Sequence, residues 1–70
     1  MYNHEYIRQK RIATGYSTNK MADKLKMDSS NYCKLETGQY KNVPLSLLIK
    51  LHREMNVDLY YLLNINTDNN

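Results

Sequence analysis

Near the middle of the chain, six consecutive residues hold five side chains, besides Tyr32, that are able to form hydrogen bonds. The Asn amide among them both donates and accepts, so it can bond two neighbouring groups of one planar edge. The Lys ammonium is a compact charge with three donors, and each Ser hydroxyl can donate or accept. This chemistry suits recognition by contact. The residues are Ser29, Ser30, Asn31, Cys33 and Lys34.

Catalytic and metal-binding chemistry has no comparable basis in the sequence. Cys33 is the single cysteine, which excludes a disulfide within the chain and a zinc site built on cysteine pairs. His4 and His52 are isolated from each other, and Gly15 and Gly38 do not form a glycine-rich phosphate loop. No nucleophile–base or carboxylate pair stands at a workable spacing. We therefore expect no enzyme activity, no metal and no cofactor.

The length and composition predict one small domain. Seventy residues leave room for one core, and an apolar fraction of 41% makes that core marginal, so oligomerisation is expected to add buried surface. No apolar run approaches the roughly 20 residues of a membrane span, and no basic-then-apolar leader opens the chain. The expected location is the cytoplasm, without membrane contact.

Positive charge is concentrated in the first part of the chain. Residues 1–41 carry eight basic and four acidic side chains, whereas residues 42–70 carry two basic and three acidic ones. This distribution places a positive field where a polyanion such as nucleic acid could bind, although charge alone also serves solubility.

The spacing of apolar residues and helix-capping residues predicts an all-α fold without strands. Five short helices are expected, at about residues 3–13, 18–24, 29–36, 44–55 and 59–63. Gly15, Gly38 and Asn56 are the residues expected to end helices at positive φ. The expected N-caps are Ser17, Asp28 and Asp58. Residues 1–63 are predicted to form the domain, and residues 64–70 a polar, disordered tail.

Residues 18–35 satisfy the requirements of two short helices that brace each other across a tight turn. Every position that must be apolar for this packing is apolar, and the position of close helix crossing holds the small Ala22. The apolar positions are Met21, Leu25, Met27, Tyr32 and Leu35. The second helix would then expose its outward side to the DNA major groove, which is about 12 Å wide. The residues on that side are Ser29, Ser30, Asn31, Cys33 and Lys34. There Asn31 can pair with adenine, and Lys34 with guanine or phosphate.

A longer series of residues occurs in the order and spacing of a known family. The series comprises Ile7-Arg8, Arg11, Gly15-Tyr16-Ser17, Met21-Ala22, Leu25, Tyr32, Leu35-Glu36, Gly38, Leu48-Ile49-Lys50-Leu51 and Val57 to Leu63. In these residues the chain resembles the phage-repressor/Cro type of helix-turn-helix protein, the XRE family. The resemblance implies a compact, lambda-repressor-like domain of five helices in which helices two and three form the helix-turn-helix. It also implies an ion pair between Arg11 and Glu36.

The expected phosphate contacts flank the second helix of this unit. One group is at the start of helix two, and the other is in the loop after helix three, where backbone N–H groups could also clasp a strand. The residues are Thr18, Asn19, Lys20, Thr37, Tyr40, Lys41 and Asn42.

The chain departs from the family pattern at three places. Lys26 stands in the turn where the family usually has glycine, so a costly positive φ is expected there. Thr18 stands where the family often has glutamine. Ser29 and Ser30 are shorter than the usual side chains, so DNA shape and water are expected to carry part of the specificity.

The predicted function is sequence-specific binding of double-stranded DNA by a transcriptional regulator, a repressor that acts as a homodimer on an inverted repeat. Dimer contact and simple packing are equally open for the tyrosines of the last helix, where the expected interface is Leu59, Tyr60, Tyr61 and Leu63. The alternative is an antitoxin-type DNA-binding protein whose main partner is another protein, bound by the same helix and by the tail.

Overall fold

The computed structural model describes residues 2–64, and this part of the chain is all-helical, without strands. The α-helices are α1 (His4–Thr14), α2 (Thr18–Lys24), α3 (Ser29–Thr37), α4 (Leu45–Met55) and α5 (Leu59–Leu62). The all-α prediction is therefore confirmed, and the predicted helix ends differ from these bounds by at most one residue. Of the predicted tail, residues 65–70 lie outside the described residues.

Most helix ends follow the capping chemistry of their residues. The Ser17 hydroxyl accepts a hydrogen bond from the Lys20 N–H at 3.1 Å and so caps α2. The Asp58 carboxylate caps α5 in the same way. Gly15 and Asn56 end α1 and α4 at φ values of 81° and 54°. These four predictions are confirmed.

The turn between α2 and α3 departs from ideal backbone geometry at Lys26, as expected. Lys26 has φ of 57°, in the left-handed region that disfavours a residue with a Cβ. Asp28 is the N-cap residue of α3, as predicted. Its carboxylate, however, accepts from the Ser30 hydroxyl at 2.9 Å instead of from a backbone N–H.

The core lies where α3 packs against both α1 and α2, and where α1 packs against α4 and α5. Four of the five apolar positions predicted for the α2–α3 unit are buried, whereas Met27 is only half-buried. Ala22, at the close crossing, is buried as well. The buried apolar residues are Ile7, Met21, Ala22, Leu25, Tyr32, Leu35, Leu47, Leu51, Met55, Val57 and Leu62.

The helices of residues 2–64 are at most eleven residues long. None of them has the length and apolar character that crossing a membrane requires.

Candidate nucleic-acid interface

Helix α3 has one buried side and one exposed side. Tyr32, Leu35 and Glu36 are buried. All five residues of the predicted recognition surface are exposed, namely Ser29, Ser30, Asn31, Cys33 and Lys34. Because they belong to one helix of nine residues, they form a continuous outward surface that the rest of the domain holds from behind.

The buried side of α3 is fixed by a network of three polar side chains. Arg11 of α1 donates to the Glu36 carboxylate from Nε at 2.6 Å and from Nη2 at 3.3 Å, so the ion pair that the resemblance implies is present. The same guanidinium donates to the Tyr16 carbonyl at 2.8 Å. The Tyr32 hydroxyl donates to Glu36 at 2.5 Å. Within residues 2–64, no buried side-chain nitrogen or oxygen lacks a hydrogen-bond partner.

The electrostatics of this network follow from burial and pairing. Burial, together with the hydrogen bond to Glu36, raises the pKa of Tyr32 well above its ordinary value. The hydrogen bond to Glu36 raises the pKa of Arg11. Arg11 therefore stays cationic and Tyr32 stays protonated, which keeps both donors in place and holds α3 against α1.

The N-terminus of α2 offers groups that can bind an anion. The side chains of Asn19 and Lys20 are exposed, and that of Thr18 is half-buried. The N–H groups of Thr18 and Asn19 donate to no acceptor among residues 2–64. Two backbone donors and one ammonium group are thus available at the positive end of the helix dipole.

The loop after α3 differs in one respect from the sequence prediction. The N–H groups of Gly38, Gln39 and Tyr40 all donate to the Lys34 carbonyl. They cannot also clasp a DNA strand, because each N–H is already used within the domain.

The remaining predicted contacts of this loop are placed as follows. Lys41 and Asn42 are exposed, and their N–H groups have no acceptor within the described part of the chain. Asn42 has a positive φ of 53°. Thr37 is exposed and its hydroxyl donates to the Lys34 carbonyl, while Tyr40 is half-buried. The groups available to a phosphate at this flank therefore belong mainly to Lys41 and Asn42.

Tyr2, just before α1, and His4, the first residue of α1, hold the C-terminal turn of α3, which the sequence analysis did not predict. The Tyr2 hydroxyl donates to the Leu35 carbonyl at 2.7 Å, and His4 Nδ1 lies 2.9 Å from the Glu36 carbonyl. Burial raises the pKa of Tyr2, so it remains a donor. These contacts join residues more than thirty positions apart, and no local pattern signals them.

The predicted partner surface on α5 is partly exposed. Tyr60 and Tyr61 are 61% and 57% exposed, whereas Leu59 and Leu63 are half-buried. The Tyr61 ring also packs edge-on against Tyr6, with 4.6 Å between the ring centroids. The two tyrosines are therefore the residues of this group with most surface left for a partner.

Acidic, histidine and cysteine side chains do not gather into a metal-binding group of three or more anywhere in residues 2–64. Comparison of the chain with protein-family models, with curated proteins and with solved structures finds no match. The function is therefore inferred from the geometry of the site.

Proposed function

We propose that this chain binds duplex DNA as a regulator of the helix-turn-helix type, with α3 lying in the major groove. One observation carries the proposal. The inner side of α3 is locked by the apolar core and by the Arg11–Glu36–Tyr32 network, while its outer side presents five exposed polar side chains. A helix fixed on one side and free on the other is what groove recognition requires.

The outer side of α3 has donors and acceptors that match base edges. Asn31 can bond the N6 and N7 groups of adenine together, and Lys34 can donate to the acceptors of guanine. Both side chains are exposed and neither is engaged by another side chain within residues 2–64. They are the residues we assign to direct base recognition.

The two flanks of α3 would position the domain on the phosphate backbone. Asn19 and Lys20 stand at one flank, and Lys41 and Asn42 at the other. Their backbone N–H groups and ammonium groups supply sequence-independent attraction, which salt weakens.

The arrangement also supports the family-level proposal of a lambda-repressor-like domain. The supporting features are five short helices in order, a four-residue turn between α2 and α3, and the Arg11–Glu36 pair. A dimer that meets through Tyr60 and Tyr61 would place two copies of α3 on an inverted repeat, with half-sites roughly 34 Å apart. Occupancy of such a site would block transcription.

Selection of bound sites from a random duplex pool at moderate salt tests this function. An enriched inverted repeat is the result that the proposal predicts. A pool that stays random, with binding that fades steeply as salt rises, would mean backbone contact alone and would contradict sequence-specific regulation.

A second candidate is an antitoxin-type protein that binds a protein partner through α5. The observation in its favour is the exposure of Tyr60 and Tyr61, since exposed aromatic side chains are common at protein interfaces. Co-purification of a small co-encoded protein with the wild-type chain, lost in Tyr60→Ala/Tyr61→Ala, would favour this candidate. A dimer of the chain alone, broken by the same substitutions, would favour the regulator.

A further inference from the structure

Asp28 and Ser30 form a hydrogen-bonded pair beside the outward surface of α3. The Ser30 hydroxyl donates to Oδ2 of Asp28 at 2.9 Å, and both residues are exposed. The Asp28 carboxylate makes no hydrogen bond to the backbone N–H groups of α3, although it occupies the N-cap position. The carboxylate is therefore held on the side of the helix where Ser30 lies.

The pairing restricts the hydrogen bonds that these two side chains can offer to a ligand. A Ser hydroxyl has one proton to donate in a hydrogen bond, and Ser30 donates it to Asp28. Ser30 is then left with acceptor lone pairs, and Oδ1 of Asp28 is an acceptor with no partner within residues 2–64. The pair presents acceptors only.

Among the four bases, this acceptor-only pair fits one major-groove edge best. Cytosine presents the N4 amino donor there, with no adjacent acceptor of its own. Adenine places the N7 acceptor beside its amino group, guanine presents two acceptors, and thymine presents an acceptor and a methyl group. A carboxylate is attracted to the amino group of cytosine. It is attracted less to that of adenine, because the N7 acceptor lies beside it, and it is repelled by the acceptors of guanine and thymine.

We propose that Asp28, held by Ser30, is a specificity-determining residue that selects cytosine at one position of each half-site. This inference rests on the proposed binding of duplex DNA and assigns a base that the side chains of α3 alone do not. The carboxylate also faces the negative field of the phosphates, so it lowers affinity for every duplex while it raises discrimination. Removal of the charge should therefore weaken the preference for cytosine and raise the affinity for duplex DNA of any sequence.

The test repeats the site selection with wild type, Asp28→Ala and Asp23→Ala. Asp23 is the matched control, because it is an exposed aspartate of α2 and its replacement changes the net charge equally. We expect Asp28→Ala to reduce the preference for one cytosine by about tenfold, the worth of one base contact, while affinity for random duplex rises. Asp23→Ala should keep the wild-type site and show only the rise in affinity.

Two further variants refine the assignment. Asp28→Asn should extend the preference to adenine at the same position, because an amide can bond N6 and N7 together. Ser30→Ala should reduce the cytosine preference by less than Asp28→Ala does, since it removes the support and keeps the acceptor. Thermal unfolding should be nearly unchanged in Asp28→Ala, because the carboxylate does not cap the helix.

The outcomes separate this inference from the proposed function. A wild-type motif that contains no fixed cytosine, or an Asp28→Ala motif identical to that of wild type, would overturn the role of Asp28 and leave DNA recognition standing. Failure of the wild-type protein to enrich any motif would overturn both. Loss of the cytosine in Asp28→Ala, with its retention in Asp23→Ala, supports the assignment.

Discussion

The guanidinium of Arg11 and the carboxylate of Glu36 meet across the interface of α1 and α3, with Nε and Oε2 2.6 Å apart. The two side chains are only 13% and 7% exposed. The pair is joined on one side by the Tyr32 hydroxyl and on the other by the Tyr16 carbonyl. Since every charge in this network is hydrogen-bonded, α3 is held by directional contacts as well as by apolar packing.

Replacement of Arg11 by methionine should destabilise the domain strongly. The change keeps side-chain volume but leaves Glu36 buried without its cation, and breaking a buried pair in this way costs about 3–5 kcal/mol. Chemical denaturation of the two proteins measures the difference in free energy of unfolding.

Arg8→Met is the matched control for this prediction. Arg8 also lies on α1 and pairs with Glu5 at 3.4 Å, but that pair is more than half exposed. It should cost less than about 1 kcal/mol. Equal losses in the two variants would show that the network around Glu36 does not hold α3.

Alkaline pH should destabilise the wild-type domain through Tyr32. Its pKa is raised in the folded state, first by burial and then by Glu36. The unfolded chain therefore releases this proton near the ordinary value of 10.0 while the folded chain retains it, so stability present below pH 10 is lost as pH rises further. The contribution of one group to this slope is up to about 1.4 kcal/mol per pH unit.

Tyr32→Phe isolates this effect. At neutral pH the variant should be less stable by about 1–3 kcal/mol, because Glu36 loses a buried hydrogen bond. Above pH 10 its stability should fall less steeply than that of wild type. Tyr60→Phe, the same change at an exposed site, should follow the wild-type curve. Parallel curves for wild type and Tyr32→Phe would contradict the raised pKa.

Lys26→Gly should stabilise the turn between α2 and α3. Lys26 has φ of 57°, which costs a residue with a Cβ more than it costs glycine. The expected net gain is about 0.5–1 kcal/mol after the greater freedom of glycine in the unfolded chain is included. Lys24→Gly, two residues earlier at the last position of α2, should instead cost up to about 1 kcal/mol. A loss of stability in both variants would mean that Lys26 makes contacts outweighing its backbone strain.

Tyr2→Phe should loosen the C-terminal turn of α3. The variant keeps the ring but leaves the Leu35 carbonyl without its 2.7 Å donor, at a cost of about 1 kcal/mol. Amide hydrogen exchange should accelerate at Gly38 and Gln39, whose N–H groups close that turn, and should stay unchanged at Leu51 in the core of α4. Uniform acceleration at all three sites would indicate a global effect instead.

The parts of the fold that could be predicted depend on neighbours in the sequence. Ser17 caps α2, and Gly15 ends α1, through groups only a few residues away. The hydrogen-bond partner of Asp28 could not be predicted in this way, because its carboxylate could reach either a backbone N–H or the Ser30 hydroxyl. The choice between them is a matter of side-chain geometry that sequence does not specify.

In the candidate site, too, the features that depend on local spacing could be predicted and those that depend on distant contacts could not. Exposure of Asn31 and Lys34 follows from the helical spacing of Tyr32 and Leu35, which must face the core. The hydrogen bond from Tyr2 to the end of α3 joins residues thirty-three positions apart, so the spacing of residues along the chain does not predict it. The spacing also does not predict that three N–H groups of the following loop donate to the Lys34 carbonyl.

The most direct test of the central claim is the affinity of wild type, Asn31→Ala and Asn19→Ala for the selected duplex and for a scrambled duplex of equal length. Asn31→Ala should lose about tenfold or more on the selected duplex and almost nothing on the scrambled one, because it removes a base contact. Asn19→Ala, the same change at a position that the proposal assigns to phosphate contact, should weaken both complexes alike. Equal losses of Asn31→Ala on both duplexes, or no loss on either, would contradict recognition of DNA bases by α3.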